Sequence, residues 1–376
     1  MLKEHLVIVF AMEHYNPLGL IRTLGRCGIS PVYIAVKGRG VSSSKSRYIK
    51  KVHYVETAEE GYRVLLKEYG SGGMPEKPFV LTTDDDIQSI LDLHYSELKD
   101  RFIMYNAGAD GRVTMYMDKK RILETAEKHG LKVLPTVVTD RGVIPEGLEY
   151  PVITKAMSPT EADWKKNVFI CGSEEELKEA FGEIACPKVL IQKFVEKKNE
   201  LCLDGFTIDK GRKSFIPMGT NYNYLIRGYY SPYMTAFNYE DKEILASLDS
   251  MLAEIGFEGI FSIEFIIDQD DACYFSEVNF RNSTWNYIAS SIGMPIPVLW
   301  CEAMLAGRID KSWKRTFPEN FTAMTEPIDY KIRVEGGRAD LAQWLVDFKT
   351  TDVPFYLDPE DPEPFRAMVN NWRAFS

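Results

Sequence analysis

An α/β fold is predicted by three features of the 376-residue chain. The first hundred or so residues alternate short apolar runs with helix-like segments, the order that builds a parallel sheet. Residues 261–281 hold two apolar runs around the polar Asp268-Gln269-Asp270-Asp271, the pattern of a β-hairpin. The composition, 45% hydrophobic and 27% charged, is that of a soluble globular protein, and the length suits two or three domains.

Several function classes fit poorly. A net charge of −10, from 45 basic and 55 acidic residues, argues against a broad nucleic-acid surface. The six cysteines form no C-x-x-C pair and the five histidines stand apart, so no zinc spacing is present. Scattered thiols of this kind read as reduced, which makes the cytoplasm the expected location. No apolar run approaches membrane-spanning length, and the opening MLKEHLVIVFAMEHY reads as a first strand rather than a signal peptide.

In chain order, residues 6–11 form a buried strand, 17–26 a helix stopped by Gly28, and 31–36 a second strand. The turn after the first strand lacks G-x-G-x-x-G, which disfavours a nicotinamide dehydrogenase. Asn16 in that turn is either a ligand contact or a helix cap, and a cap is the simpler reading. A helix at 58–69, a turn at 71–75, a strand at 79–82 and a helix at 87–98 follow. Thr83-Asp84-Asp85-Asp86 closes the strand. Asp118 caps a helix that ends at Gly130. Lys119 and Lys120 in its first turn oppose the helix dipole, so they are either solvated or present for function.

Residues 151–155 are a strand ending in Lys155, followed by a polar loop at 156–167, a short strand at 168–170 and a helix at 173–181. The strong strand 189–195 runs into the charged stretch 196–200, and a further strand at 201–208 turns at Asp209-Lys210-Gly211. Residues 222–239 crowd Tyr, Phe and Asn around Arg227, which suits packing or substrate contact. A helix at 240–255 stops at Gly256, and helices at 286–292 and 296–306 follow the hairpin. Beyond Gly307 the pattern turns irregular and reads as a small appendage.

Alternation on the hairpin places Ser262, Glu264 and Ile266 on one face of its first strand. Phe275, Glu277, Asn279 and Arg281 share a face of the second, with Ser276 on the opposite, core-facing side. With an even-length connection these two faces coincide, and Glu264 meets Glu277. Like charges opposed across strands repel. They are then either solvated at a half-exposed edge or bridged by a hard, oxygen-seeking cation such as Mg²⁺ or Mn²⁺. Arg281 would hold an anion beside that cation.

Taken together, Lys119 at a helix start, Lys155 ending a strand, the strand running into an acidic hinge, and E-x-N-x-R at Glu277, Asn279 and Arg281 resemble the ATP-grasp superfamily of carboxylate–amine ligases. The resemblance spans residues 11–306, the first part by topology and chain position. It implies a Rossmann-like pre-ATP-grasp domain (1–115), two ATP-grasp α+β subdomains sandwiching the nucleotide (116–193 and 194–310) and an appendage (311–376). Lys119 and Lys155 would reach the nucleotide phosphates, with Lys155 also near the adenine. Backbone groups at Lys193 and Val195 would meet the base. Gln192 stands where such hinges often carry an acid, and Glu200 would contact ribose. Glu264, Glu277 and Asn279 would bind two Mg²⁺ ions, and Arg281, with Arg227 as a second catalytic candidate, would meet the phosphoryl group or substrate.

The implied reaction activates a carboxylic acid, amino acids being candidates, as an acyl-phosphate, then joins it to an amine with release of ADP and phosphate. A small-molecule kinase and a non-catalytic nucleotide-binding protein are the alternatives. The glycine-free loop 158–166 is more similar to the D-aspartate ligase-like and carbamoyl-phosphate synthase large-subunit-like branch than to biotin carboxylase. The resemblance is compatible with a homodimer and implies neither a nucleic-acid nor a membrane partner.

Overall fold

The computed structural model describes every residue except 1, 39, 41, 73, 156–166, 227–229 and 373–376. Its first unit is a parallel sheet of β1 (Val7–Met12), β2 (Val32–Val36), β3 (Lys51–Val55), β4 (Phe79–Leu81) and β5 (Ile103–Met104), in the order β3-β2-β1-β4-β5. All its neighbours pair in parallel. Alternate residues of β1 serve two cores, Val7, Val9 and Ala11 on one face and Ile8 and Phe10 on the other. This is why the strand reads as a continuous apolar run. Strand order reverses between β1 and β4, which opens a crevice at their C-terminal ends.

A four-stranded antiparallel sheet follows, built from β6 (Thr136–Asp140), β7 (Val152–Lys155), β8 (Ile170–Cys171) and β9 (Lys188–Lys193) in the order β6-β9-β7-β8. The helix Glu174–Glu183 supplies Leu177, Ala180 and Phe181 to its small core.

The largest sheet has seven strands. These are β10 (Lys197–Ile208), β11 (Lys213–Tyr222), β12 (Tyr233–Asn238), β13 (Gly259–Asp268), β14 (Cys273–Asn279), β15 (Phe321–Met324) and β16 (Val353–Pro354). Their order is β14-β13-β10-β11-β12-β15-β16. The helix Lys242–Ile255 starts where Asp241 accepts from the N–H groups of Glu243 and Ile244, and stops at Gly256 in the left-handed region. Its Leu248, Met251, Leu252 and Ile255 face the main core, which also takes one side of the first sheet.

The tail differs from the expected appendage. It contributes β15 and β16 to the large sheet. It also meets Arg22, a fully buried side chain of the first helix, Tyr15–Arg26. Arg22 Nε donates to Asp361 Oδ2 at 2.9 Å, and its other nitrogens donate to the carbonyls of Phe355, Tyr356 and Asp361. Among the described residues, no helix is long and apolar enough to cross a membrane.

Candidate active site

The β13–β14 hairpin pairs Ile267 with Cys273, enclosing residues 268–272, an odd number. On parity alone that would turn Glu277 away from Glu264. A bulge between the Glu264 and Phe265 pairs inserts one extra residue, Ser276, and restores the facing. Glu264 therefore pairs with Glu277, and Ser262 with Asn279. The bulge corrects the expectation for the distal half of β14: Phe275 pairs with Phe265 and is 1% exposed, a core residue, while Ser276 sits at the bulge.

Past the bulge, a chain of polar contacts runs outward. Asn279 Nδ2 donates to Glu264 Oε1 at 2.9 Å, and Arg281 Nη2 donates to Asn279 Oδ1 at 2.9 Å. Arg281 Nε donates to Asp85 Oδ1 at 3.1 Å. Burial first, then the nearby charges of Glu277 and Glu200, push the Glu264 carboxyl well above its ordinary range. Ionising both members of the pair therefore carries a cost that a bound cation would offset.

Among the described residues, no group of three His, Cys, Asp or Glu side chains is assembled for a metal. The donor set is two carboxylates and an amide. This fits Mg²⁺, which takes one or two carboxylates and fills the remaining positions with phosphate and water oxygens.

Across from the hairpin, Lys155 ends β7. Its Nζ donates to Gln192 Oε1 at 2.8 Å, and Gln192 Nε2 donates to Thr136 Oγ1 at 2.9 Å. Gln192 is buried, and its side chain orients this lysine. Desolvation, with Lys119 close by, pushes the Lys155 ammonium down to about 8. Lys119 opens the helix Lys119–Lys128, where Asp118 caps by accepting from the Arg121 N–H. The Lys193 N–H is already committed to the Pro135 carbonyl at 2.8 Å, and its ammonium to the carbonyls of Glu149 and Tyr150. Of the Lys193 backbone groups, the N–H is therefore taken up within the sheet. Glu200 lies on β10 in an ion pair with Lys197.

Two cavities organise these residues. A pocket of about 180 Å³ is lined by Lys155, Gln192, Lys193, Val195 and Glu200, with apolar walls from Ile153, Phe265 and Ile266. A cleft of about 970 Å³ is lined by Lys119, Asn279 and Arg281, and reaches His14, Asn16, Thr83, Asp84 and Asp85 at the C-terminal ends of β1 and β4. Glu264 and Glu277 line both. Arg227 and the loop 158–166 lie outside the described residues.

Some site residues escaped the sequence reading. Asp85 was visible only as one of three aspartates closing a strand. Asn16 is not a cap: the helix begins at Tyr15, with His14 at the cap position and no capping bond from its side chain. Asn16 Nδ2 instead donates to the carbonyls of Thr83 and Asn282 at 3.5 and 3.3 Å. Asp84 accepts from the Met12 N–H and the Thr83 hydroxyl, yet burial still pushes its carboxyl up to about 6.

No protein-family model matches the chain, and no curated protein does. Solved structures do. An L-amino acid ligase from Bacillus licheniformis is similar at a TM-score of 0.62 and 14% identity, over 83% of this chain and 78% of that one. The N5-carboxyaminoimidazole synthetase of Staphylococcus aureus is similar at 0.62 and 14%, over 88% and 85%. The biotin carboxylase domain of the Hydrogenobacter thermophilus 2-oxoglutarate carboxylase is similar at 0.61 and 19%, over 82% and 72%. At such identities the likeness is one of fold.

Proposed function

We propose, starting from a chain that has the ATP-grasp fold, that it is an ATP-dependent carboxylate–amine ligase. The observation that carries this reading is that Glu264 and Glu277 line both cavities. The smaller pocket, apolar-walled and lined by Lys155, suits the base of a nucleotide whose phosphates extend toward the carboxylate pair. The larger cleft, which runs from the carboxylate pair to the crevice of the first sheet, suits the acid and the amine. A group transferred from one to the other must pass the carboxylate pair.

Mg²⁺ or Mn²⁺ held by Glu264, Glu277 and Asn279 would neutralise nucleotide phosphate charge. Lys155, oriented by Gln192, and Lys119 offset the charge that remains. Arg281 presents its guanidinium to the transferred phosphoryl group. An acyl-phosphate is an activated carboxyl group, so an amine can displace phosphate with no protein nucleophile, and none is needed among these residues. The ligase and synthetase names of two structural neighbours support the same reaction class.

The test is phosphate release from ATP and Mg²⁺ in the presence of pooled amino acids. Release that requires both an acid and an amine supports the ligase. Release with an alcohol alone favours a kinase, and nucleotide binding without turnover in any pool favours a non-catalytic role. Glu277→Ala is expected to abolish turnover while leaving the unfolding midpoint of the nucleotide-free protein unchanged or raised. Full activity in that variant defeats the metal assignment.

A further inference from the structure

We propose that Asp85 is the positioning residue for Arg281, so that the first sheet aims the cation that meets the transferred phosphoryl group. The inference rests on the ligase reading above.

Arg281 lies just beyond the end of β14, where no ladder partner holds it. Two contacts from different nitrogens of its guanidinium set the plane instead: Nη2 on Asn279 Oδ1 at 2.9 Å, and Nε on Asp85 Oδ1 at 3.1 Å. A planar fork held at two nitrogens by two separate acceptors cannot swivel freely, and its remaining N–H groups are directed as a set. The Asp85–Arg281 pair is partly shielded, at 24% and 20% side-chain exposure, so it is less screened than a surface pair.

Asp85 is itself fixed. It is the first residue of the helix Asp85–Leu93, separated from the end of β4 by Thr82, Thr83 and Asp84. The Asn282 N–H donates to the Thr82 carbonyl at 3.1 Å, which bonds the residue after Arg281 to the end of β4. Asn16 bridges the same junction through the carbonyls of Thr83 and Asn282. The first sheet and the arginine therefore share one register, and Asp85 transmits it to the guanidinium.

Two roles for Asp85 predict opposite signs. A carboxylate that only masks charge weakens the hold of Arg281 on a phosphoryl group, so Asp85→Asn would tighten it. A carboxylate that positions the fork strengthens that hold, so Asp85→Asn would loosen it. The measurement is calorimetric binding of ADP and of a non-hydrolysable ATP analogue, each with Mg²⁺, because their affinity ratio reports the grip on the terminal phosphoryl group. Asp85→Asn is expected to weaken analogue binding about tenfold, the scale of one charge-assisted hydrogen bond, with ADP binding unchanged. Asp85→Glu is expected to restore part of the loss. The double variant Asp85→Asn/Arg281→Lys should bind the analogue no more weakly than Arg281→Lys alone, since Asp85 acts through Arg281.

Unchanged or tighter analogue binding in Asp85→Asn, equal losses for both nucleotides, or additive losses in the double variant overturn the assignment while leaving the ligase reading intact. A wild-type protein that binds neither nucleotide removes the ligase reading and the role of Asp85 with it.

Discussion

Lys155 carries its charge where water is scarce and a second lysine is near, a position that costs the empty protein stability and suits a polyphosphate. Its ammonium titrates near 8 in the folded chain against an ordinary 10.5. Between those values the unfolded chain binds more protons, so the nucleotide-free protein gains stability as pH rises through that window. Lys155→Met is expected to raise the melting temperature at pH 7 and to abolish most nucleotide affinity. The stability gap between variant and wild type should narrow from pH 8 to pH 10, as thermal scans without nucleotide would show. A variant that melts below wild type at pH 7 contradicts this account. At this scale the sequence was informative where chemistry sits on a regular element. Lys155 at a strand end, and Glu264 and Glu277 on alternating positions, could be read from period and pattern. Asp85 and the orienting role of Gln192 could not, because each depends on a partner distant in sequence, 196 residues away for Asp85 and Arg281.

The hairpin shows how one element can reach the expected site by an unexpected route. Its odd connection and its one-residue bulge cancel, so the carboxylates face each other although neither irregularity was visible. A bulge leaves no mark when the extra residue is a small polar one such as Ser276. The evidence for it is Phe275, which alternation assigns to the carboxylate face and the structure buries against Phe265, the two rings edge to face. Phe275→Ala is therefore expected to cost about 3–5 kcal/mol, as a large ring lost from a packed core does, measured by the urea midpoint. A loss below about 1 kcal/mol, typical of an exposed site, would restore the unbulged register. The bulge also twists the strand, and Asn279 and Arg281 lie just beyond it. The parallel sheet was more legible than the hairpin, since strands buried on both faces announce themselves as continuous apolar runs.

Over the whole molecule, the tail was the least legible part. Residues 311–372 have short strands, many prolines and little periodicity, because they complete surfaces built by earlier elements rather than forming a core of their own. Their weight falls on Arg22, whose charge is buried against Asp361 and three backbone carbonyls. Arg22→Ala leaves Asp361 buried with its ion partner gone, although Ser46 Oγ and the Arg47 N–H still donate to it. The expected loss is about 3–5 kcal/mol, read from chemical denaturation, with nucleotide binding by the surviving folded fraction unchanged. Loss under 1 kcal/mol would return the tail to the status of an appendage. The same contact sets a clock on biosynthesis. Arg22 and Asp361 are 339 residues apart, and at about 5–20 residues per second the interval between their emergence is roughly 20–70 s. For that time the first helix carries a cation destined for the interior with no partner yet made. Every described residue assigned to the site has by then been synthesised, so a nascent chain can hold the parts of the reaction before its first helix can settle.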